Sequence, residues 1–125
     1  MVNSFESAQL MAQAADEKKA YDILILDLRG MTYLADYFVI CSGSNSAQVG
    51  AISDQIAHVL AMHGIRTSHI EGQAGATWLL MDYGDVVVHI FDEQTRIYYS
   101  LEKLWNDAPR VQRRVDHRTL QSASP

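Results

Sequence analysis

The sequence is poor in the residues that cross-link or interrupt small folds. Its 125 residues include a single cysteine, Cys41, and two prolines. One cysteine cannot form an internal disulfide or a zinc cluster, and it is typical of a protein from a reducing compartment. A chain of this length buries somewhat over about 60% of its unfolded surface, which is enough for a core without such links. We therefore expect a single folded domain.

A long apolar segment and a basic N-terminal region are also missing. The longest apolar runs are four or five residues, whereas a helix needs about 20 apolar residues to cross a bilayer. The first seventeen residues contain Glu6, Asp16 and Glu17 but no arginine, which is unlike a secretion signal or a transit peptide. The sequence therefore predicts a cytoplasmic protein without a membrane partner.

Basic side chains are outnumbered by acidic ones. The chain has 10 lysines and arginines and 15 acidic residues, for a net charge of -5. This charge weighs against a protein that binds DNA or RNA through its phosphates. Residues 1–105 hold 6 basic and 13 acidic side chains, whereas residues 106–125 hold four arginines and two aspartates. Apolar periodicity also stops after Trp105. We therefore expect a domain of net charge -7 at residues 1–105 and a flexible basic tail of net charge +2 at residues 106–125.

Apolar periodicity predicts the order of helices and strands. Helical spacing predicts a first helix from Ser4, its expected cap, to about Lys19, a second from Ser46 to Gly64, and a last one that follows Asp92 and ends near residue 105. Apolar runs predict strands at residues 23–26, 37–41, 66–70, 77–83 and 86–91, with a tight turn between the last two. The order α-β-β-α-β-β-β-α predicts a single α/β domain with a mixed β-sheet flanked by helices.

The best candidate for chemistry is the strand-turn-helix at Gly43 and Ser44, since backbone amides at a helix N-terminus can hold a phosphate. A P-loop would also need a lysine, and none lies between Lys19 and Lys103. A nucleotidyltransferase would need two carboxylates at alternate positions of the following strand to bind magnesium, and residues 66–70 contain none. We therefore expect no catalytic residue, no cofactor and no metal.

The remaining reactive side chains have structural explanations. His58 and His63 are five residues apart on the second helix and diverge around its axis, so they do not form a zinc pair. His89 lies in an apolar strand, and Cys41 has no basic neighbour in the sequence. Both are more typical of a core than of a catalytic base or nucleophile.

Aromatic and acidic residues are dense in the C-terminal half. Trp78 lies in a predicted edge hairpin, and it is followed by Asp82, Tyr83, Tyr98, Tyr99, Glu102 and Trp105. Tryptophan and tyrosine at a partly exposed surface contribute much of the affinity of protein interfaces. Trp78 is therefore a candidate for an interface as much as for core packing, whereas core packing explains Trp105 better.

Four separated blocks of the sequence resemble one known family. They are DYFVICSGS at residues 36–44, Glu71-Gly72 followed by Trp78 and by LMDYGD at residues 80–85, VHIF at residues 88–91, and Arg96, Tyr99 and LEKLW at residues 101–105. In their order and spacing these blocks are similar to the ribosomal silencing factor family, also called the Iojap family, over about residues 8–105. The chain departs from the family at Tyr21, where members usually have an acidic residue.

The resemblance implies a factor that is not an enzyme and whose fold is similar to that of nucleotidyltransferases without their catalytic carboxylates. Members bind the large-subunit ribosomal protein numbered fourteen at the intersubunit face, hinder joining of the small subunit and repress translation when nutrients are short. The resemblance also suggests a homodimer when the protein is free. The partner-binding residues that it implies here are Trp78, Leu80, Asp82 and Tyr83, together with Glu71 and Asp85.

Two alternatives remain open from the sequence. A nucleotidyltransferase-like enzyme would bind magnesium and a nucleotide at Gly43 and Ser44. A direct RNA-binding module would bind ribosomal RNA through the arginines of the tail, which are Arg110, Arg113, Arg114 and Arg118. Only that tail is basic enough to contact ribosomal RNA, and no contact with DNA is expected.

Overall fold

The computed structural model of the chain describes residues 2–72 and 75–114. The elements of this part follow one another as α1 (Ser4–Glu17), β1 (Tyr21–Asp27), β2 (Tyr37–Gly43), α2 (Ser46–Met62), β3 (His69–Glu71), β4 (Trp78–Asp82), β5 (Val86–Asp92), α3 (Glu93–Tyr99), α4 (Leu101–Leu104) and β6 (Arg110–Val111). Within the described residues, no helix is both long and apolar enough to cross a membrane.

The strands form one mixed sheet in the order β3-β4-β5-β2-β1-β6. The parallel pair β2 and β5 lies at its centre, and the other neighbouring pairs are antiparallel. A parallel pair needs a long connection between its strands, and here α2 and the β3–β4 hairpin provide it. The predicted α/β class, with a mixed sheet flanked by helices, is confirmed.

The first face of the sheet carries α1 and α2. Met11 of α1 and Ile52 of α2 pack there against Val39 of β2 and Val88 of β5. Every residue of β2 is buried, and so is every residue of β5 except the last. This burial explains why the two central strands have continuous rather than alternating apolar runs.

The second face of the sheet is covered over only part of its area. Leu101 of α4 and Trp105 pack there against Leu26, Phe38 and Ile40. Toward β4 this cover ends, and the side chains of β4 on this face stay partly exposed. The outer strand β3, next to β4, is exposed along its length.

The predicted flexible tail is wrong for residues 106–114. Ala108 is buried, and β6 pairs with β1 at the edge of the sheet. The Gln9 side-chain amide of α1 donates to the Gln112 carbonyl over 2.9 Å, and the Gln9 oxygen accepts from the Arg114 backbone N–H over 2.8 Å. A two-residue strand has no period that a sequence pattern could reveal. The domain therefore continues past residue 105, and residues 115–125, with Arg118, lie outside the described residues.

The predicted last helix is divided in two. Ser100 adopts a left-handed conformation with φ 47°, and its hydroxyl donates to the Ile97 carbonyl over 2.7 Å. This geometry ends α3, and α4 begins directly after it. At the other end of the chain, the helix cap is Asn3 rather than Ser4, because Asn3 Oδ1 accepts from the Glu6 N–H over 2.8 Å.

Candidate docking face

Four of the six residues predicted to bind a partner share one side of the sheet. Trp78 and Leu80 of β4 belong to the apolar cluster of the second face, and Asp82 follows them at the same alternation. Glu71 of β3 lies directly opposite Leu80 in the antiparallel register, so its side chain is on the same side. We call this group, Glu71, Trp78, Leu80 and Asp82, the β4 face.

The indole of Trp78 is held by three other rings. The centroid of the Phe91 ring lies 4.9 Å from that of the indole, and the centroid of the Tyr99 ring lies 4.7 Å from it. The Trp78 Nε1–H donates to Nδ1 of His89 over 3.2 Å. Part of the Trp78 surface remains exposed. A large aromatic side chain that is already immobilised is suited to anchor a partner, since it loses little freedom on binding.

Exposed residues of α3 continue the aromatic surface. Tyr99, which contacts Trp78, is 53% exposed, and Tyr98 is 81% exposed. The two tyrosine rings lie 5.0 Å apart between centroids. The sequence indicated that these tyrosines belong to an aromatic cluster, but the contact of Tyr99 with Trp78 of β4 depends on how α3 packs.

Acidic side chains lie beside the aromatic surface. Glu71 is exposed, and its Oε1 lies 3.1 Å from Nε2 of His69. Asp82 is half-buried, and its Oδ1 accepts from the Gly84 N–H over 2.7 Å. Asp85 is exposed in the turn between β4 and β5. Glu71 and Asp82 place negative charge on the β4 face, which suits a basic partner.

Tyr83 does not belong to the β4 face. Successive residues of a strand point to opposite sides, and Tyr83 packs against the apolar core of the first face. Its hydroxyl is buried and has no hydrogen-bond partner in the part of the chain that the structure describes. Burial raises the pKa of Tyr83. In this position the side chain supports the core rather than a surface shared with Trp78.

His89 contacts Trp78. From the sequence pattern we expected only that His89 belongs to the core. It is 4% exposed, and burial lowers the pKa of His89 to about 4. The ring is therefore neutral near pH 7. The alternation within residues 86–91 indicates that His89 shares a side with Phe91. Its proximity to Trp78 follows only from the pairing of β4 with β5.

Backbone N–H groups at the turn of Gly43 and Ser44 form hydrogen bonds with nearby side chains of the same chain. The Ser44 N–H donates to Oε1 of Gln48 over 2.6 Å, and the Gln48 N–H donates to Oδ1 of Asn45 over 2.8 Å. These amides, which could have held a phosphate, already have partners. On the strand before the turn, burial raises the pKa of Cys41 to about 12, so its thiol stays protonated near neutral pH.

The arginines considered for RNA contact are partly engaged within the fold. Arg114 donates to both carboxylate oxygens of Glu6, over 2.7 and 2.8 Å. Arg110 lies in β6 with its side chain exposed. Within residues 106–114, Arg110 therefore lies at the edge of the sheet and Arg114 lies against α1, rather than in a free tail.

The fold and the β4 face define a class, which is a small α/β protein with a mixed six-stranded sheet and an aromatic surface on one side of it. The sequence model of the family described as "Ribosomal silencing factor during starvation" matches residues 2–125 of this chain. The chain belongs to this family, and the resemblance seen in its sequence is confirmed.

Individual relatives agree with this assignment. A Bacillus subtilis protein named ribosomal silencing factor RsfS is 46% identical over 108 residues, which cover 86% of this chain and 92% of that protein. A mouse protein named mitochondrial assembly of ribosomal large subunit protein 1 is 32% identical over 92 residues, or 71% of this chain and 40% of that protein. A crystal structure of a Chromobacterium violaceum protein has a TM-score of 0.82 at 30% identity and covers 92% of this chain and 95% of its own. Both of these relatives are named for a role connected with the ribosome, and the family supports a ribosome-associated silencing role for this chain.

Proposed function

We propose that the chain binds the large ribosomal subunit through the ribosomal protein numbered fourteen, at the face where the two subunits meet. It sterically blocks association of the small subunit and so represses translation during nutrient limitation. The family description and the name of the mouse relative support this proposal. The structural observation that carries it is the immobilised, partly exposed indole of Trp78. The compartment is the one that holds the ribosomes, which we take to be the cytoplasm.

Occlusion of a subunit interface requires affinity and bulk but no chemical step. Affinity in protein interfaces is concentrated in a few tryptophan, tyrosine and arginine side chains. Trp78 and the neighbouring Tyr99 offer such side chains on one surface. The proposal therefore needs no catalytic residue, cofactor or metal ion.

Acidic residues on the β4 face favour the approach of a basic partner. The chain has a net charge of -5, and Glu71 and Asp82 lie on the β4 face itself. A ribosomal protein rich in lysine and arginine is attracted by this charge, and charges at a rim act mainly on the association rate. In its free state the protein forms a homodimer on this proposal, with a second copy covering the exposed Tyr98 and Tyr99.

We predict that Trp78→Ala lowers affinity for the large subunit by more than about 2 kcal/mol, or about 30-fold, because it removes the central aromatic anchor. Sedimentation of the protein with separated large subunits measures this loss. Tyr33→Ala is the matched control, since Tyr33 is a fully exposed aromatic residue in the loop between β1 and β2. It should bind like the unchanged protein.

The same sedimentation experiment distinguishes the alternatives. The proposal requires binding to the large subunit and exclusion from the joined ribosome. A Trp78→Ala variant that is folded by circular dichroism and still pellets fully with large subunits would remove Trp78 from the interface. Equal binding to joined ribosomes would contradict occlusion. Heat released on titration with magnesium and a nucleotide triphosphate would instead favour the nucleotidyltransferase-like alternative.

A further inference from the structure

His89 places a polar ring in a part of the sheet that is otherwise apolar. Its side chain lies on the second face, between Leu80 of β4 and Ile40 of β2. The centroid of the Phe38 ring is 4.7 Å away and that of the Trp78 ring is 5.9 Å away. The side chain is 4% exposed, so aromatic and aliphatic side chains surround the imidazole instead of water.

The hydrogen bond to Trp78 defines the tautomer of His89. An indole N–H can only donate, so Nδ1 of His89, 3.2 Å from Nε1 of Trp78, carries the lone pair. In a neutral imidazole the proton is then on Nε2. That atom is buried and has no hydrogen-bond partner within residues 2–72 and 75–114.

Packing alone does not account for a histidine at this position. A buried donor without an acceptor loses its hydration and gains nothing in return, and phenylalanine, of nearly the same shape, would avoid that loss. The polar interaction that the ring does make within the described structure is with the Trp78 N–H. This bond is therefore what distinguishes His89 from an apolar ring.

We infer that His89 is a positioning residue for docking, which accepts the indole N–H and so fixes the tilt at which Trp78 presents its exposed surface to a partner. The inference rests on the proposed function, because it concerns how the β4 face is used. Phe91 and Tyr99 restrict the indole through tilted ring contacts, and the hydrogen bond to His89 restrains the direction of the Nε1–H. An anchor held in its bound orientation loses less conformational freedom on binding. Affinity thus depends on an acceptor at position 89, although His89 itself is buried.

The hydrogen bond can be tested in the free protein. Long-range ¹H–¹⁵N NMR spectra report the tautomer of each imidazole, and we expect His89 to be the Nε2–H tautomer near pH 7. Trp78→Phe should shift the His89 Nδ1 resonance, because it removes the donor. An Nδ1–H tautomer, or a charged ring near pH 7, would overturn the inference.

Two substitutions separate the acceptor from the ring. His89→Phe keeps a ring against Phe38 but removes the acceptor, whereas His89→Asn keeps an oxygen near the place of Nδ1 but removes the ring. We expect His89→Phe to weaken binding to the large subunit about fivefold and His89→Asn to stay within about twofold of the unchanged protein. His63→Phe, at the exposed end of α2, is the matched control and should have no effect.

The outcomes separate this inference from the proposed function. If His89→Phe binds as tightly as the unchanged protein, or if His89→Asn loses more affinity than His89→Phe, the positioning role is wrong. Either result leaves the proposed function standing as long as Trp78→Ala loses binding. If the unchanged protein does not bind large subunits, the proposed function fails and the positioning role fails with it.

Discussion

His89 is a titratable side chain among apolar neighbours, and this couples the stability of the fold to pH. Burial lowers its pKa from 6.5 to about 4 in the folded protein, whereas the unfolded chain keeps the ordinary value. Below about pH 6.5 the unfolded chain therefore binds a proton that the folded chain does not, and folding becomes less favourable. The contribution of the neutral ring is fully present above about pH 6.5 and is lost progressively as the pH falls toward about 4.

We predict that lowering the pH from about 7.5 to about 5 reduces the free energy of unfolding by about 2 kcal/mol more in the unchanged protein than in His89→Phe. The phenyl ring cannot bind the proton, so that part of the pH dependence disappears. Urea unfolding at the two pH values, followed by circular dichroism, measures the difference. A His89→Phe variant with the same pH dependence would show that His89 is not the group responsible.

At the scale of elements, Arg96 connects α3 to two strands and to α4. Its guanidinium donates to the Asp22 carbonyl over 2.6 Å and to the Ser42 hydroxyl over 2.8 Å, and its Nε lies 2.9 Å from Oε2 of Glu102. Burial alone would raise the pKa of Glu102, but its backbone N–H and Arg96 hold that pKa below its usual range. The ion pair thus spans the break at Ser100 and holds α4 on the second face.

We predict that Arg96→Ala lowers the free energy of unfolding by about 3 kcal/mol, because it leaves Glu102 largely buried without its partner. The Arg96 side chain is 11% exposed, whereas the Arg29 side chain, paired with Asp27, is 61% exposed. Arg29→Ala is therefore the matched control and should cost less than about 1 kcal/mol. Equal losses for the two variants in urea unfolding would contradict a structural role for the Arg96 bridge.

Most elements of this fold could be predicted because apolar spacing is a local property of the chain. The runs at residues 37–41 and 86–91 became the buried central strands β2 and β5. The break at Ser100 and the strand β6 could not be predicted in this way. β6 depends on pairing with the distant strand β1, and the left-handed Ser100 interrupts a run of residues that keeps helical spacing on both sides of it.

Some features of the candidate site could likewise be predicted from the sequence, and others could not. The alternation that places Trp78 with Leu80 on one side of β4, and Tyr83 on the other, is present in the sequence. The resemblance implied all of these residues as one group, although that alternation places Tyr83 on the other side from Trp78 and Leu80. The contacts of Trp78 with His89 and Tyr99 are different, because they require the strand register and the packing of α3. A local pattern contains neither.

At the scale of the whole molecule, the residues after Trp105 combine a structural contribution with positive charge. β6 covers β1, which would otherwise be an edge strand open to pairing with another chain. Arg114 joins this segment to Glu6 of α1. A truncation of residues 106–125 therefore removes structure together with charge, and loss of ribosome binding in such a chain would not by itself indicate contact with RNA.

We predict that a chain ending at Trp105 is less stable than a chain ending at Arg114 by about 3 kcal/mol, because it loses the buried Ala108, the packed Val111 and the β6 hydrogen bonds. Thermal unfolding of the two truncated chains, followed by circular dichroism, measures the difference, and equal stabilities would contradict a structural role for β6.

Charge is tested separately in the full chain with Arg110→Gln and Arg113→Gln, which keep the backbone of β6. This double variant should bind the large subunit within about twofold of the unchanged protein if the β4 face carries the affinity. A loss of about tenfold, smaller at higher salt, would instead favour direct contact with RNA, because phosphate contacts weaken as salt rises.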